Sequence, residues 1–258
     1  MKKRLDTLIF ELGLASSRTM AQRLIEQQLV CCREDLGIRL KPSSPIHPSL
    51  WSSESWTVSN SKLSRYVSRG GLKLEGALRH FNISCSGLNA WDIGQSTGGF
   101  TDCLIQYGAG RVFGIDVGRG QLHPSLKENP QVFAVEGVNI KESLDSSFFQ
   151  DFFLEENPAL FDLVVGDLSF ISVKKVMPNI LPHIKKGGQI LFLIKPQFEV
   201  GRQSVGKKGV VKNQKKVNEV LSSLEKQFSS WGLRFLGKVA SEVLGDDGNQ
   251  EYFFWSEV

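Results

Sequence analysis

Apolar positions near the start of the chain recur at helical spacing. Leu5, Leu8, Ile9 and Leu12 share one face of a short helix that Gly13 ends. Ser16 or Ser17 can cap a second helix over 18–28, with Ala21, Leu24 and Ile25 facing inward. From Leu29 the pattern becomes β-rich, broken by turn signals at Asp35-Leu36-Gly37 and from Lys41 to Pro45. Residues 49–64 are serine-rich and read as a linker with one short strand over 56–58.

From about residue 65 strands and helices alternate. Helices are predicted over 72–81, 100–107, 173–183 and 214–231. Strands are predicted over 89–93, 111–115, 132–135, 161–165, 189–194, 233–242 and 251–255. The runs 162–165 and 190–194 are largely apolar on both faces, as central parallel strands covered by helices must be. The βαβα order predicts an α/β fold, a Rossmann-like doubly wound sheet, behind a small N-terminal α+β domain. The expected boundaries are 1–60 and 61–258.

Composition narrows the classes. With 41% hydrophobic and 22% charged residues, the chain has enough apolar surface for a core, which excludes disorder as its main state. The longest apolar runs are strand-sized, far short of the ~20 residues a bilayer needs. Met1 to Arg4 and the leucines after them resemble an export signal, but Asp6 and Glu11 interrupt the apolar region. Cys31, Cys32, Cys85 and Cys103 form no C-x-x-C pair and the histidines are scattered. The expectation is reduced thiols in a cytoplasmic protein, without structural zinc. Charge is uneven. Residues 1–75 hold 12 Lys+Arg against 7 Asp+Glu, the remainder 19 against 20. A basic segment beside a near-neutral domain is the footprint of nucleic-acid binding, although a solvated face would also account for it.

The sharpest local feature runs from Trp91-Asp92-Ile93-Gly94 through Gln95-Ser96-Thr97-Gly98-Gly99-Phe100-Thr101. A strand ends in an acid, turns through glycines and opens a helix. Asp116 ends the next strand, 22 residues past Gly94, where a carboxylate can accept from ribose hydroxyls. Three ligand readings compete. A dinucleotide site would place glycine where Ser96 stands, and Asp92 would repel a pyrophosphate. A nucleophile elbow matches Gly94-Gln95-Ser96-Thr97-Gly98, but no histidine follows His183 to complete it. S-adenosylmethionine has no phosphate and carries positive groups, so the acids favour it. Further along, Lys73, Asp167, Lys195 and Glu251 are charges at the edges of apolar elements. Asp167 and Lys195 end strands that converge on a ligand in this fold.

Tyr66 to Leu74, Asp92 to Cys103, Gly114 to Gly118, Asp167-Leu168-Ser169-Phe170-Ile171-Ser172 and Ile194 to Glu199 together resemble the TlyA family, also labelled hemolysin A. The resemblance implies an FtsJ-like, S-adenosylmethionine-dependent 2′-O-methyltransferase acting on cytidine of ribosomal RNA. It implies a catalytic tetrad at Lys73, Asp167, Lys195 and Glu251. It implies cofactor contacts at Asp92, Gly94, Ser96, Gly98, Phe100, Asp116 and Asn139. The segment from Arg4 to Ile25 is similar to the small RNA-binding domain of ribosomal-protein S4 type, which implies phosphate contacts from Arg4, Arg18 and Arg23. The chain departs from that domain where Gln27-Gln28-Leu29-Val30-Cys31-Cys32-Arg33-Glu34-Asp35 replaces the usual glycine and Val-Asn-Gly turn. The expected partners are ribosomal RNA or ribosomal subunits, with no stable membrane association and no metal. Lys195 is expected nearest the 2′-hydroxyl, and Arg202, Lys207, Lys208 and Lys212 form a basic loop able to clamp RNA. Three other readings stand beside this one: a membrane-lytic protein, a non-catalytic RNA-binding protein that kept the fold, and methylation of a different RNA.

Overall fold

The computed structural model describes residues 2–15, 17–26, 29–34, 40–58, 65–141, 161–206, 209–245 and 247–258. The expected cap Ser16, the turn at Asp35-Leu36-Gly37, the linker residues 59–64 and the loop lysines Lys207 and Lys208 lie outside them. The chain divides into two compact units, Met1–Arg69 and Gly70–Val258.

The first unit contains β1 (Lys3–Arg4), α1 (Leu5–Glu11), α2 (Arg18–Glu26), β2 (Val30–Cys32), β3 (Pro45–Ile46) and β4 (Trp56–Val58). The 3-4 spacing of apolar positions does what it predicts: Leu5, Leu8, Ile9, Ala21, Leu24 and Ile25 are buried in one cluster. Ser17 accepts from the Met20 amide at 3.1 Å at the start of α2. Two antiparallel pairs, β1 with β3 and β2 with β4, complete the module. The pairs β1 and β3 are two residues each, too short to register as a pattern in the sequence.

The second unit holds α3 (Gly70–Phe81), β5 (Asn89–Ile93), α4 (Gly99–Gln106), β6 (Arg111–Asp116), α5 (Pro124–Lys127), β7 (Val132–Glu136) and β8 (Phe161–Gly166). These are followed by α6 (Met177–Ile180), β9 (Ile184–Ile194), α7 (Pro196–Glu199), α8 (Gln214–Ser230), β10 (Arg234–Ala240) and β11 (Tyr252–Glu257). Among the described residues, seven strands form one sheet in the order β10-β11-β9-β8-β5-β6-β7. Strands β9, β8, β5, β6 and β7 run parallel, while β11 and β10 are antiparallel. Strand alternation sends neighbours to opposite faces. Phe254 meets Phe228 of α8 at 5.6 Å between ring centroids, while Phe253 meets Phe100 of α4 at 5.9 Å.

One predicted helix is not continuous. Residues 173–183 form a 3₁₀ turn, the single-turn α6 and a second 3₁₀ turn. Pro178 and Pro182 sit at the starts of the last two, since each proline lacks the N–H an unbroken helix needs. Glu251 precedes β11 rather than opening it.

Strand order reverses between β5 and β8: the chain passes from β5 outward through β6 and β7, then returns to the other side of β5 at β8. Ligands in doubly wound sheets bind at such a reversal, beyond the carboxyl ends of the strands. The packing there is tight. A Cβ on Gly166 would overlap the ring of Phe192 on the adjacent strand, and Phe192 is itself buried. Gly166→Ala is therefore expected to lower stability by about 1–3 kcal/mol, measured by chemical denaturation against the wild type.

Candidate active site

A cavity of about 560 Å³ opens at the strand reversal. Its wall takes Ile93 and Gly94 from the end of β5, Ser96 from the following turn, Asp116 from the end of β6, Asn139 from beyond β7, and 167–171 from beyond β8. The floor depends on a close backbone approach. The Asp167 amide donates to the Ile93 carbonyl at 3.1 Å, and a Cβ on Gly94 would lie 2.9 Å from the Asp167 carbonyl oxygen. Gly94 also has φ +83°. Both facts restrict that position to glycine.

The turn is tied to the next strand by carboxylate acceptors. Asp116 accepts from the Ser96 amide at 2.8 Å and from the Gly118 amide at 2.6 Å. Ser96 is left-handed at φ +48°, and its hydroxyl donates to Gln121 Oε1 at 2.9 Å. A non-glycine residue in that region is strained, and such strain concentrates at functional sites.

Five of the expected residues share the cavity wall: Gly94, Ser96, Asp116, Asn139 and Asp167. Three expected cofactor contacts do not. Phe100 is buried against Phe253, because the first turn of α4 faces the sheet. Gly98 caps α4. Asp92 is fully buried beneath the turn, where it accepts from the Thr101 hydroxyl at 2.7 Å. Its other oxygen, Oδ1, has no hydrogen-bond partner. Burial pushes the Asp92 carboxyl up to about 7; the Thr101 hydrogen bond works against this, and the negative charges of Asp167 and Asp116 add to it. Three carboxylates thus converge on one end of the sheet.

The four expected tetrad residues form two ion pairs. Lys195 Nζ lies 2.7 Å from Asp167 Oδ1 and donates to Ser169 Oγ at 2.7 Å. Lys73 Nζ lies 2.6 Å from Glu251 Oε2, with both side chains buried. Sheet register makes the two pairs neighbours, since Ile194 pairs with Tyr252, so Lys195 and Glu251 extend from adjacent strand ends. A buried ion pair costs desolvation and is weak evidence for stability. Lys73 shares the buried face of α3 with Leu74, Ala77 and Leu78 and with a second charged residue, Glu75.

Two residues of the quoted motifs to which the sequence assigned no role belong here. Phe170 stands on the cavity wall, 90% exposed, at φ +64°, with its ring 5.1 Å from that of Phe198. Glu199 in α7 accepts from the Val173 amide at 2.8 Å and from the Ser172 hydroxyl at 2.7 Å, bracing the loop after β8 against the helix after β9. Burial raises the Glu199 carboxyl above its usual range. Nothing in periodicity marks either residue; an aromatic between Ser169 and Ile171 in a loop was the one visible signal.

In the first unit Asp6 is fully buried and gathers cations. Arg4 donates to it through Nε at 3.1 Å and Nη2 at 2.8 Å, Gln22 donates at 2.7 Å, and Arg18 Nε lies 3.4 Å away. The Arg4 hydrogen bonds hold the Asp6 carboxyl well below the usual carboxylate range despite burial. Both arginines remain about half exposed, while Arg23 is partly buried in α2.

A doubly wound sheet with a cavity at its reversal point, walled in part by Asp116 and Asp167, is the architecture of an α/β enzyme. A profile of the FtsJ-like methyltransferases matches residues 66–258, and one of the S4 domain matches residues 3–32. The chain belongs to the FtsJ-like methyltransferase family. It is 35% identical over 98% of its length to the 16S/23S rRNA (cytidine-2'-O)-methyltransferase TlyA of Mycobacterium tuberculosis, covering 89% of that protein. It is 34% identical over 96% of its length to Hemolysin A of Brachyspira hyodysenteriae, covering 97% of it. A solved structure described as a hemolysin from Streptococcus thermophilus superposes with a TM-score of 0.74 at 33% identity, over 99% of this chain and 88% of that one.

The state of Asp92 gives a pH test. Its native pKa lies above the unfolded value of about 3.9, so its contribution to stability is fully present below that value and is lost as pH rises through about 7. Asp92→Asn removes this loss. The unfolding free energy of the variant, measured by chemical denaturation, is expected to gain on the wild type between pH 5 and pH 8 by about 3 kcal/mol. A constant difference across that range would show that Asp92 does not titrate there.

Proposed function

We propose that the protein transfers a methyl group from S-adenosylmethionine to a ribose 2′-hydroxyl, in cytidine of ribosomal RNA. The observation that carries this reading is the Lys195–Asp167 pair, whose Asp167 lines the cavity together with Asp116. The donor set fits the cofactor. Asp116 suits the ribose hydroxyls, Asn139 the base, and the carboxylates of Asp116 and Asp167 on the wall suit a cation. When bound, S-adenosylmethionine supplies a methyl group already activated by its sulfonium.

The chain must then align the acceptor and manage its charge. Lys195, held between Asp167 and Ser169, is oriented as a cation against the 2′-oxygen and stabilises the negative charge that grows there as the hydroxyl proton passes to solvent water. Lys73 and Glu251 hold the neighbouring strand end in place. The exposed face of Phe170 offers a surface on which an unstacked base can rest. Residues 1–60 act as the RNA-binding module and 61–258 as the catalytic one. Asp6 fixes Arg4 and Arg18 so that both guanidinium groups meet phosphate without first losing side-chain freedom. Among the described residues no helix is long and apolar enough to cross a membrane.

Tritiated S-adenosylmethionine, purified protein and unmodified ribosomal subunits provide the test. Label on a ribose 2′-oxygen is the expected result. Label absent from both subunits but present on transfer RNA would redirect the substrate. Lys195→Ala is expected to abolish transfer with cofactor binding retained; near-normal turnover would sink its role. Arg18→Ala should weaken RNA binding and reduce the slope of log affinity against log salt by about 1, measured by filter binding at several ionic strengths.

A further inference from the structure

We propose that Glu136 is a positioning residue of the cofactor cavity, setting affinity for S-adenosylmethionine by holding the loop after β6 in its binding shape. This rests on the methyltransferase reading above and extends it to a residue that touches no part of the reaction. The loop runs from Val117 to Leu122 between β6 and α5, and Val117 and Gln121 line the cavity. It has no regular secondary structure of its own. Its shape is instead imposed by acceptors from outside. Glu136 Oε2 accepts from the Gly120 amide at 2.6 Å, and Oε1 accepts from the amides of Gln121 at 2.9 Å and Leu122 at 3.3 Å.

Glu136 is placed for this by the sheet. It ends β7 as Asp116 ends β6, and the two are register partners. Asp116 takes the Gly118 amide of the same loop and the Ser96 amide of the glycine turn. Gln121 then accepts from the Ser96 hydroxyl. The links close a ring: Glu136 holds the loop, the loop presents Gln121, Gln121 holds Ser96, and Ser96 is bound to Asp116. A carboxylate accepts these amide hydrogens more strongly than a neutral group can, and the amide bonds hold the Glu136 carboxyl below its ordinary range. Without it, three successive amides turn to water and Gln121 loses its fixed origin. The pocket must then be ordered at the moment of binding, which weakens affinity.

The test is calorimetric titration of the full chain with S-adenosylmethionine and, separately, with S-adenosylhomocysteine. Glu136→Ala is expected to weaken both at least tenfold and by similar factors, since the loop is common to the two ligands. Glu136→Gln retains the side-chain volume and one acceptor oxygen, so it is expected to fold and to fall between. With ribosomal subunits as acceptor, KM for S-adenosylmethionine should rise by more than kcat falls. Affinity of both variants within twofold of the wild type would overturn the proposal, as would a fall in kcat with KM unchanged. Wild-type protein that binds neither ligand would instead overturn the methyltransferase reading.

Discussion

The site depends on the approach of two backbone segments at the point where strand order reverses. The Asp167 amide reaches the Ile93 carbonyl, and Gly94 passes so near the Asp167 carbonyl that no side chain fits between them. This contact fixes the distance between the end of β5, which starts the glycine turn, and the end of β8, which carries Asp167. It also decides where Lys195 must come to rest, because β9 is locked to β8 by the packing of Phe192 on Gly166. A shift of either strand by one residue would turn every alternate side chain to the other face and dissolve the constellation.

Electrostatics then sets what the constellation can hold. Charge near the cavity is negative where the turn and the strand ends meet, and paired where the lysines stand. The carboxylates at the turn are not idle: Asp116 organises backbone amides, and Asp92 anchors Thr101 at the start of α4. Asp116 is held by short hydrogen bonds from backbone amides, whereas Asp92 keeps one oxygen without a partner and its carboxyl is pushed up to about 7.

The N-terminal unit uses the same device at smaller scale. One buried carboxylate, Asp6, fixes two half-exposed guanidinium groups. In both units a structural acid orders basic or backbone donors that then face outward. Burial makes the arrangement rigid, since a buried carboxylate without partners would be costly.

Much of this was legible in the chain. Short apolar runs bounded by acids and glycines become β5, β6 and β8 because a strand covered on both faces has little freedom in composition. The glycine turn, Asp116, Asp167, Lys195 and the pairing of charge types at strand ends follow from residue order alone. Face and partner did not. Whether Asp92 and Phe100 line the cavity depends on which side of the sheet α4 covers, and both proved to point into the core. The broken segment 173–183 shows apolar period outvoted by two prolines. The roles of Glu136 and Glu199 were silent because their partners, backbone amides and the Ser172 hydroxyl, lie 14 to 27 positions away, which no spacing rule records. Local sequence determined the elements, their order and the kinds of charge at their ends. The tertiary structure decided which of those charges meet, because hydrogen bonds and ion pairs between distant segments form only after packing has set the distances.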